Sequence, residues 1–306
     1  MLKSTLFFFF FSFLAFSQNT ERLRDSIVKY RNSNPNLALE YGIQYTNDDL
    51  AQISTVKTVG TTALIGEILV QTGLYALALN YFNRSLELFN SLPESEKKNP
   101  VDQPPWVILN IGNVYFKNGD YDKAKNKFNE AKILFQQLLN PEEKQHGLNT
   151  SDTNLALIQQ IEGDYESAER IHQGIYLRRY KTNKVEDILY SLSQIIAVKL
   201  LKKEFISANN KLQEVIKLYE TQKIPESKTS ISTRNYGYSF LIFADFYQSI
   251  KDYENAIKYL KKSKEILKNV PNEVNALSSR FEECYLGLND LDEAEKIAKD
   301  NLKTKD

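Results

Sequence analysis

The chain has 306 residues, 42% of them hydrophobic, with only 11 Gly and 8 Pro. So few breakers over that length favour long helices over a loop-rich fold. Lys plus Arg and Asp plus Glu stand at 39 each with the signs interspersed, which excludes the basic footprint of a nucleic-acid binder, and the single cysteine, Cys284, excludes an internal disulfide.

Residues 1–17, MLKSTLFFFFFSFLAFS, place Lys3 before an apolar run from Leu6 to Phe16 and end in Ala15-Phe16-Ser17, with small residues where a signal peptidase reads. The pattern predicts a secretory signal cut before Gln18. Its apolar run is about half the ~20 residues that span a bilayer. The mature chain, 18–306, is therefore expected to be exported, periplasmic or secreted. No transmembrane segment is expected after cleavage, because the longest later apolar stretch, Tyr238 to Tyr247, is short and interrupted by Ser239 and Asp245.

Beyond the signal a short phrase returns: Asp120-Tyr121-x-x-Ala124, Asp164-Tyr165-x-x-Ala168 and Asp252-Tyr253-x-x-Ala256. Looser copies centre on Ala78, Ala208 and Ala294, and the weakest on Ala38. In the third copy Ile108, Ile111, Gly112 and Tyr115 share one helix face, Gly119 ends that helix, and Asp120 caps the next. The second helix carries Tyr121, Ala124, Phe128, Ala131 and Phe135 on one stripe, so the unit is an antiparallel helical hairpin. Gly112 with Ala124 marks a close approach of two helix axes, repeated as Gly66 with Ala78, Ala156 with Ala168 and Ala244 with Ala256. The aromatics Tyr75, Phe82, Tyr121, Phe128, Tyr165, Phe205 and Tyr253 are read as packing residues. Ser91 to Pro105 and Lys223 to Asn235 read as polar connectors, as does the segment around His146, and the last helix, from Asp292, turns polar like a solvated cap.

These residues resemble the tetratricopeptide repeat family. Ile111-Gly112-x-x-Tyr115 followed by Tyr121-x-x-Ala124-x-x-x-Phe128-x-x-Ala131 carries its pattern of Gly in the first helix, Ala twelve residues later, and aromatics between and after. The chain departs from the pattern where His172 and Leu212 replace the aromatic after the Ala and where Gly42 stands in the first hairpin. Its repeat spacing also exceeds the ~34-residue unit. The resemblance implies an all-α, right-handed superhelical solenoid of about seven hairpins, read as one domain over 18–306.

Chemistry is sparse. The chain has two His and one Cys. His172 sits on a helix face as a packing residue, and Cys284 reads as a small buried hydrophobe. No His-x-x-x-His, Cys-x-x-Cys, calcium loop or phosphate-binding Gly loop occurs, so no catalytic residue, cofactor or metal site is expected and the chain is not expected to be an enzyme. The resemblance implies a protein or peptide partner held on the concave face by first-helix residues: Trp106, Leu109, Asn113, Phe116 and Lys117, then Leu157 and Gln160, Tyr190, and Tyr238, Leu241 and Asp245. The function expected from it is an exported adaptor or sensor module. The alternative is a scaffold subunit of an envelope or secretion assembly.

Overall fold

The computed structural model describes residues 19–48, 53–97, 104–181, 185–221, 230–267 and 271–303. The secretory signal at 1–17 lies outside the described residues. Among the described residues all regular structure is helical, in fourteen helices: α1 at 19–30, α2 Pro35–Thr46, α3 Val56–Gln71, α4 Tyr75–Asn90, α5 Pro104–Lys117, α6 Tyr121–Gln136, α7 Pro141–Ile161, α8 Tyr165–Tyr180, α9 Val185–Leu201, α10 Phe205–Thr221, α11 Ser230–Ser249, α12 Tyr253–Leu267, α13 Pro271–Gly287 and α14 Leu291–Lys303. They group into two compact units, one up to Asn154 and one from Leu155. Within each unit consecutive helices pack as antiparallel hairpins, the arrangement read from the repeats.

Six of the turns between the two helices of a hairpin share one backbone solution. In the α3–α4 turn the Leu74 N–H donates to the Leu69 carbonyl at 2.9 Å and the Gly73 N–H to the Val70 carbonyl at 3.2 Å. The same pair of bonds returns in every such turn through Asp290, whose N–H donates to the Tyr285 carbonyl at 2.8 Å. This is the Schellman closure of a helix end, and it needs a left-handed residue at its fifth place. Gly73, Gly119 and Gly163 supply it, with φ of 79°, 79° and 82°, while Lys203, Lys251 and Asn289 adopt it at 61°, 62° and 57°. A left-handed residue with a Cβ costs roughly 1–2 kcal/mol, partly offset by the greater backbone entropy that glycine loses on folding. Lys251→Gly is therefore expected to stabilise the protein by about 1 kcal/mol, seen as a higher urea midpoint at unchanged slope.

In four of the six turns Asp begins the following helix, because its carboxylate accepts from free N–H groups there. Asp120 accepts from the Lys123 N–H at 3.3 Å, Asp164 from Ser167 at 3.1 Å, Asp252 from Asn255 at 3.2 Å and Asp290 from Glu293 at 3.2 Å. Hydrogen bonds from Ser167 hold the Asp164 carboxyl below the ordinary carboxylate range.

The cores follow the small-and-large pattern. A Cβ on Gly66 would lie 2.7 Å from the Phe82 ring, and one on Gly112 2.6 Å from Phe128. Each fully buried phenylalanine thus occupies the space that a missing side chain leaves on the facing helix. Where the first helix has Ala156 or Ala244 instead, the second helix has the smaller His172 or Leu260, also buried. Each unit has an extensive apolar cluster. In the first unit Ile65, Ile68, Ala78, Phe82, Ile111 and Val114 belong to one core; in the second Leu192, Ile196, Leu212, Phe243, Ala256 and Leu260 belong to another.

Two expectations need correction. The segment around His146 is the N-terminal part of α7 and not a connector. Asn140 caps it, accepting from Glu142 and Glu143 at 3.0 and 3.1 Å, Pro141 opens it, and Gly147 inside it makes room for the Phe135 ring 2.1 Å from where a Cβ would stand. Phe205 is not a buried packing residue but 39% exposed, beside exposed Leu201 and Ile206 at the α9–α10 turn. The remaining connectors are shorter than the composition suggests. Ser91 to Lys97 forms turns before residues 98–103, which lie outside the described residues, and α11 already begins at Ser230.

Candidate partner-binding faces

In the first unit α5 presents four of its five candidate residues at or near the surface. Trp106 is half-buried. Its Nε1 donates to Glu143 Oε1 at 3.3 Å, its ring meets Phe135 edge-on with centroids 4.6 Å apart, and His146 lies 5.2 Å away. It ties the start of α5 to α6 and α7. Leu109 is 3% exposed and belongs to the packed interior. Asn113 and Phe116 are half-buried, the latter 5.7 Å from the Tyr121 ring, and Lys117 is exposed.

Asn113 is the centre of a row of side-chain amides. Asn154 Nδ2 donates to Asn113 Oδ1 at 2.9 Å, Asn113 Nδ2 to Asn110 Oδ1 at 3.2 Å, and Asn110 Nδ2 to Glu67 Oε1 at 2.8 Å. The row links α3, α5 and α7, the first helices of three successive hairpins. Asn110 and Asn154 were missed from the sequence, although a signal exists. Glu67 and Asn113 each follow the small residue of their helix by one position, and Asn110 and Asn154 each precede theirs, Gly112 and Ala156, by two.

The same offsets recur in the second unit. Asp245 follows Ala244 by one, and Arg280 stands fourteen residues before Ala294, two before the position that matches Ala244. Arg280 donates from Nε to Asp245 Oδ1 at 2.7 Å and from Nη2 to Oδ2 at 3.3 Å, a forked pair between α11 and α13. Polar pairing between successive first helices is thus a repeated feature of this chain, carried by amides in one unit and by an ion pair in the other.

The other second-unit candidates scatter along their helices. Leu157, Tyr238 and Leu241 are half-buried. Gln160 Nε2 lies 3.1 Å from His172 Nε2, which spends one of its polar groups inside its own hairpin. Tyr190 is half-buried, 5.5 Å from the Arg179 guanidinium; burial raises its hydroxyl pKa while the arginine charge opposes the rise. Arg179 itself is buried and donates to Ser191 Oγ at 3.0 Å.

The titratable groups outside these faces serve packing. Burial, with the Arg179 charge adding to it, pushes His172 down to about 4, so the ring is neutral near pH 7. Burial pushes the Cys284 thiol up to about 11, where thiolate chemistry is suppressed. Lys199 donates to Glu169 at 2.8 Å, and Lys202 meets Glu166, Glu169 and Glu204, each at 2.8 Å, fastening α8 to the end of α9. Burial works to raise the Glu169 carboxyl, but the two lysines outweigh it and hold it low. Among the described residues no three His, Cys, Asp or Glu side chains converge as a metal site would require, and no helix is long and apolar enough to cross a membrane.

Sequence and structure comparisons agree with the helical-hairpin fold. A family model, the tetratricopeptide repeat, matches residues 107–132 and 238–266. No curated protein matches the sequence. Among solved structures the chain is similar to NprR in complex with its cognate peptide NprX, at TM-score 0.60 and 14% identity, over 95% of this chain and 77% of that one. It is also similar to the apo form of RapI, at TM-score 0.54 and 15% identity over 80% and 82%, and to BtubC from P. vanneervenii, at 0.52 and 12% over 82% and 91%. The two matched segments carry the tetratricopeptide repeat, and the fold of stacked helical hairpins is shared with these solved structures.

Proposed function

We propose that the chain is a non-catalytic module that holds an extended peptide or protein segment against the first helices of its hairpins, as an exported adaptor or sensor. The observation that carries this reading is the row Asn110, Asn113 and Asn154. Each half-buried asparagine in it spends only part of its hydrogen-bonding capacity on its neighbours. An amide with one N–H and one lone pair left over can meet a peptide unit with both. Phe116 and Lys117 continue the same helix and add an aromatic edge and a charge to the contact. The similarity to NprR, solved with its peptide, supports the reading at the level of the fold.

The test is selection from a random peptide library displayed on phage, followed by titration of the selected peptides against the full chain and its Asn113→Ala variant. Loss of one or two net hydrogen bonds predicts a roughly tenfold weaker Kd. Trp106 is left native in this test because its ring is packed against Phe135. Peptides that bind both proteins equally would rule out this face. No selected peptide, with self-association of the chain in analytical ultracentrifugation, would turn the reading towards a scaffold subunit. Export rests on the first seventeen residues, and N-terminal sequencing of protein recovered from outside the cytoplasm should begin at Gln18; a start at Met1 would remove that part of the proposal.

A further inference from the structure

We infer that Glu67 is a positioning residue whose carboxylate sets the orientation of Asn110, Asn113 and Asn154, and so fixes the one way Asn113 can meet a peptide. The inference rests on the peptide-binding reading of this face. An asparagine side chain offers an oxygen on one branch and an NH₂ on the other, and rotation by half a turn exchanges them. A row of amides therefore has two settings of nearly equal energy unless one end is fixed. An ionised carboxylate can only accept. Next to Glu67 Oε1, at 2.8 Å, Asn110 must present its NH₂. Its Oδ1 is then turned to accept from Asn113 at 3.2 Å, and the Asn113 Oδ1 in turn accepts from Asn154 at 2.9 Å. Reversing any single amide would oppose two oxygens or two NH₂ groups, so the setting passes along the row from α3 to α7.

The consequence reaches the partner. Asn113 keeps one N–H and one lone pair beyond the row, and their order along the face is set by Glu67, two helices of the row away from Asn154. A peptide unit has its own N–H and C=O in a fixed order along the chain. A fixed Asn113 therefore accepts an extended segment in one direction and disfavours the other. Glu67 acts on the partner through the asparagines and need not touch it.

The experiment compares the full-length wild-type chain with Glu67→Ala, Glu67→Gln and, as a control that removes the same charge from exposed Glu40 on α2, Glu40→Ala. The side-chain NH₂ signals of the three asparagines are followed by ¹⁵N NMR, and peptides from the library selection are titrated in parallel. The signals of Asn113 and Asn154, which do not bond to Glu67, are expected to shift or double in Glu67→Ala, to do so less in Glu67→Gln, and to stay in place in Glu40→Ala. Peptide affinity should fall by about two- to tenfold in Glu67→Ala. Changes confined to Asn110, or unchanged affinity beside altered spectra, would overturn the inference. Failure of the library to yield any binder for the wild-type chain would instead overturn the peptide-binding reading, while the spectra still decide whether the row is set by Glu67.

Discussion

Phe128→Ala is expected to cost about 3–5 kcal/mol, among the largest losses available in the first unit. The ring is fully buried and fills the space over Gly112, where even a methyl group would lie 2.6 Å from a ring carbon. The facing residue, Gly112, has no side chain to swing into the gap. Gly112→Ala alone overfills the same contact and is expected to cost about 1–3 kcal/mol. The pair Gly112→Ala with Phe128→Leu recreates the Ala244 and Leu260 arrangement of the second unit, so it should cost clearly less than the sum of Gly112→Ala and Phe128→Leu made singly. Urea unfolding followed by circular dichroism gives all four corners of this cycle. Additive losses would mean that the glycine and the phenylalanine do not share one packing site.

The second large effect is a dependence on pH that one buried ring produces. His172 is 1% exposed, and burial with the nearby Arg179 charge lowers it to about 4, against about 6.5 for an unfolded histidine. Between those values the unfolded chain binds a proton that the folded chain refuses. Stability contributed by the neutral ring is therefore fully present above pH ~6.5 and is lost as the pH falls towards 4, by ~3 kcal/mol in all. His172→Leu copies the residue found at this place in two other hairpins, Leu212 and Leu260, and its unfolding free energy should lack that part of the slope. Carboxylates titrate in both proteins and cancel in the difference. Parallel pH profiles for wild type and variant would show that the ring accepts its proton without cost in the folded state.

These two sites also show what the sequence discloses and what it hides. The turns are legible because their requirement is local: a left-handed residue and then an N-cap, which Gly119-Asp120 and Gly163-Asp164 state outright. The same turn is harder to see at Lys203 and Lys251, where the backbone takes the strained conformation without a glycine. Gly112 with Phe128 is legible because it recurs sixteen residues apart in Gly66 with Phe82. The helical course of 141–147 was hidden because Gly147 looks like a breaker, when its purpose is to admit Phe135 from α6. At the candidate faces, Asn113 and Asp245 could be picked out one helix at a time. Their partners Asn110, Asn154 and Arg280 lie on the same or the next first helix, and only the alignment of successive hairpins brings them together. Leu109 sits one turn from Asn113 in sequence yet is buried, since helical phase alone does not say how closely neighbouring helices crowd a face.

The central claim is that a partner lies along first helices, and photo-crosslinking tests it most directly. A peptide selected by the full chain is made with a photoreactive side chain, irradiated in the complex, and the adducts are located by mass spectrometry. The account predicts adducts on α3, α5 and α7 around Glu67, Asn110, Asn113 and Phe116, reduced in Asn113→Ala. Adducts concentrated on the second helices α4 and α6, or unaffected by that substitution, would contradict it.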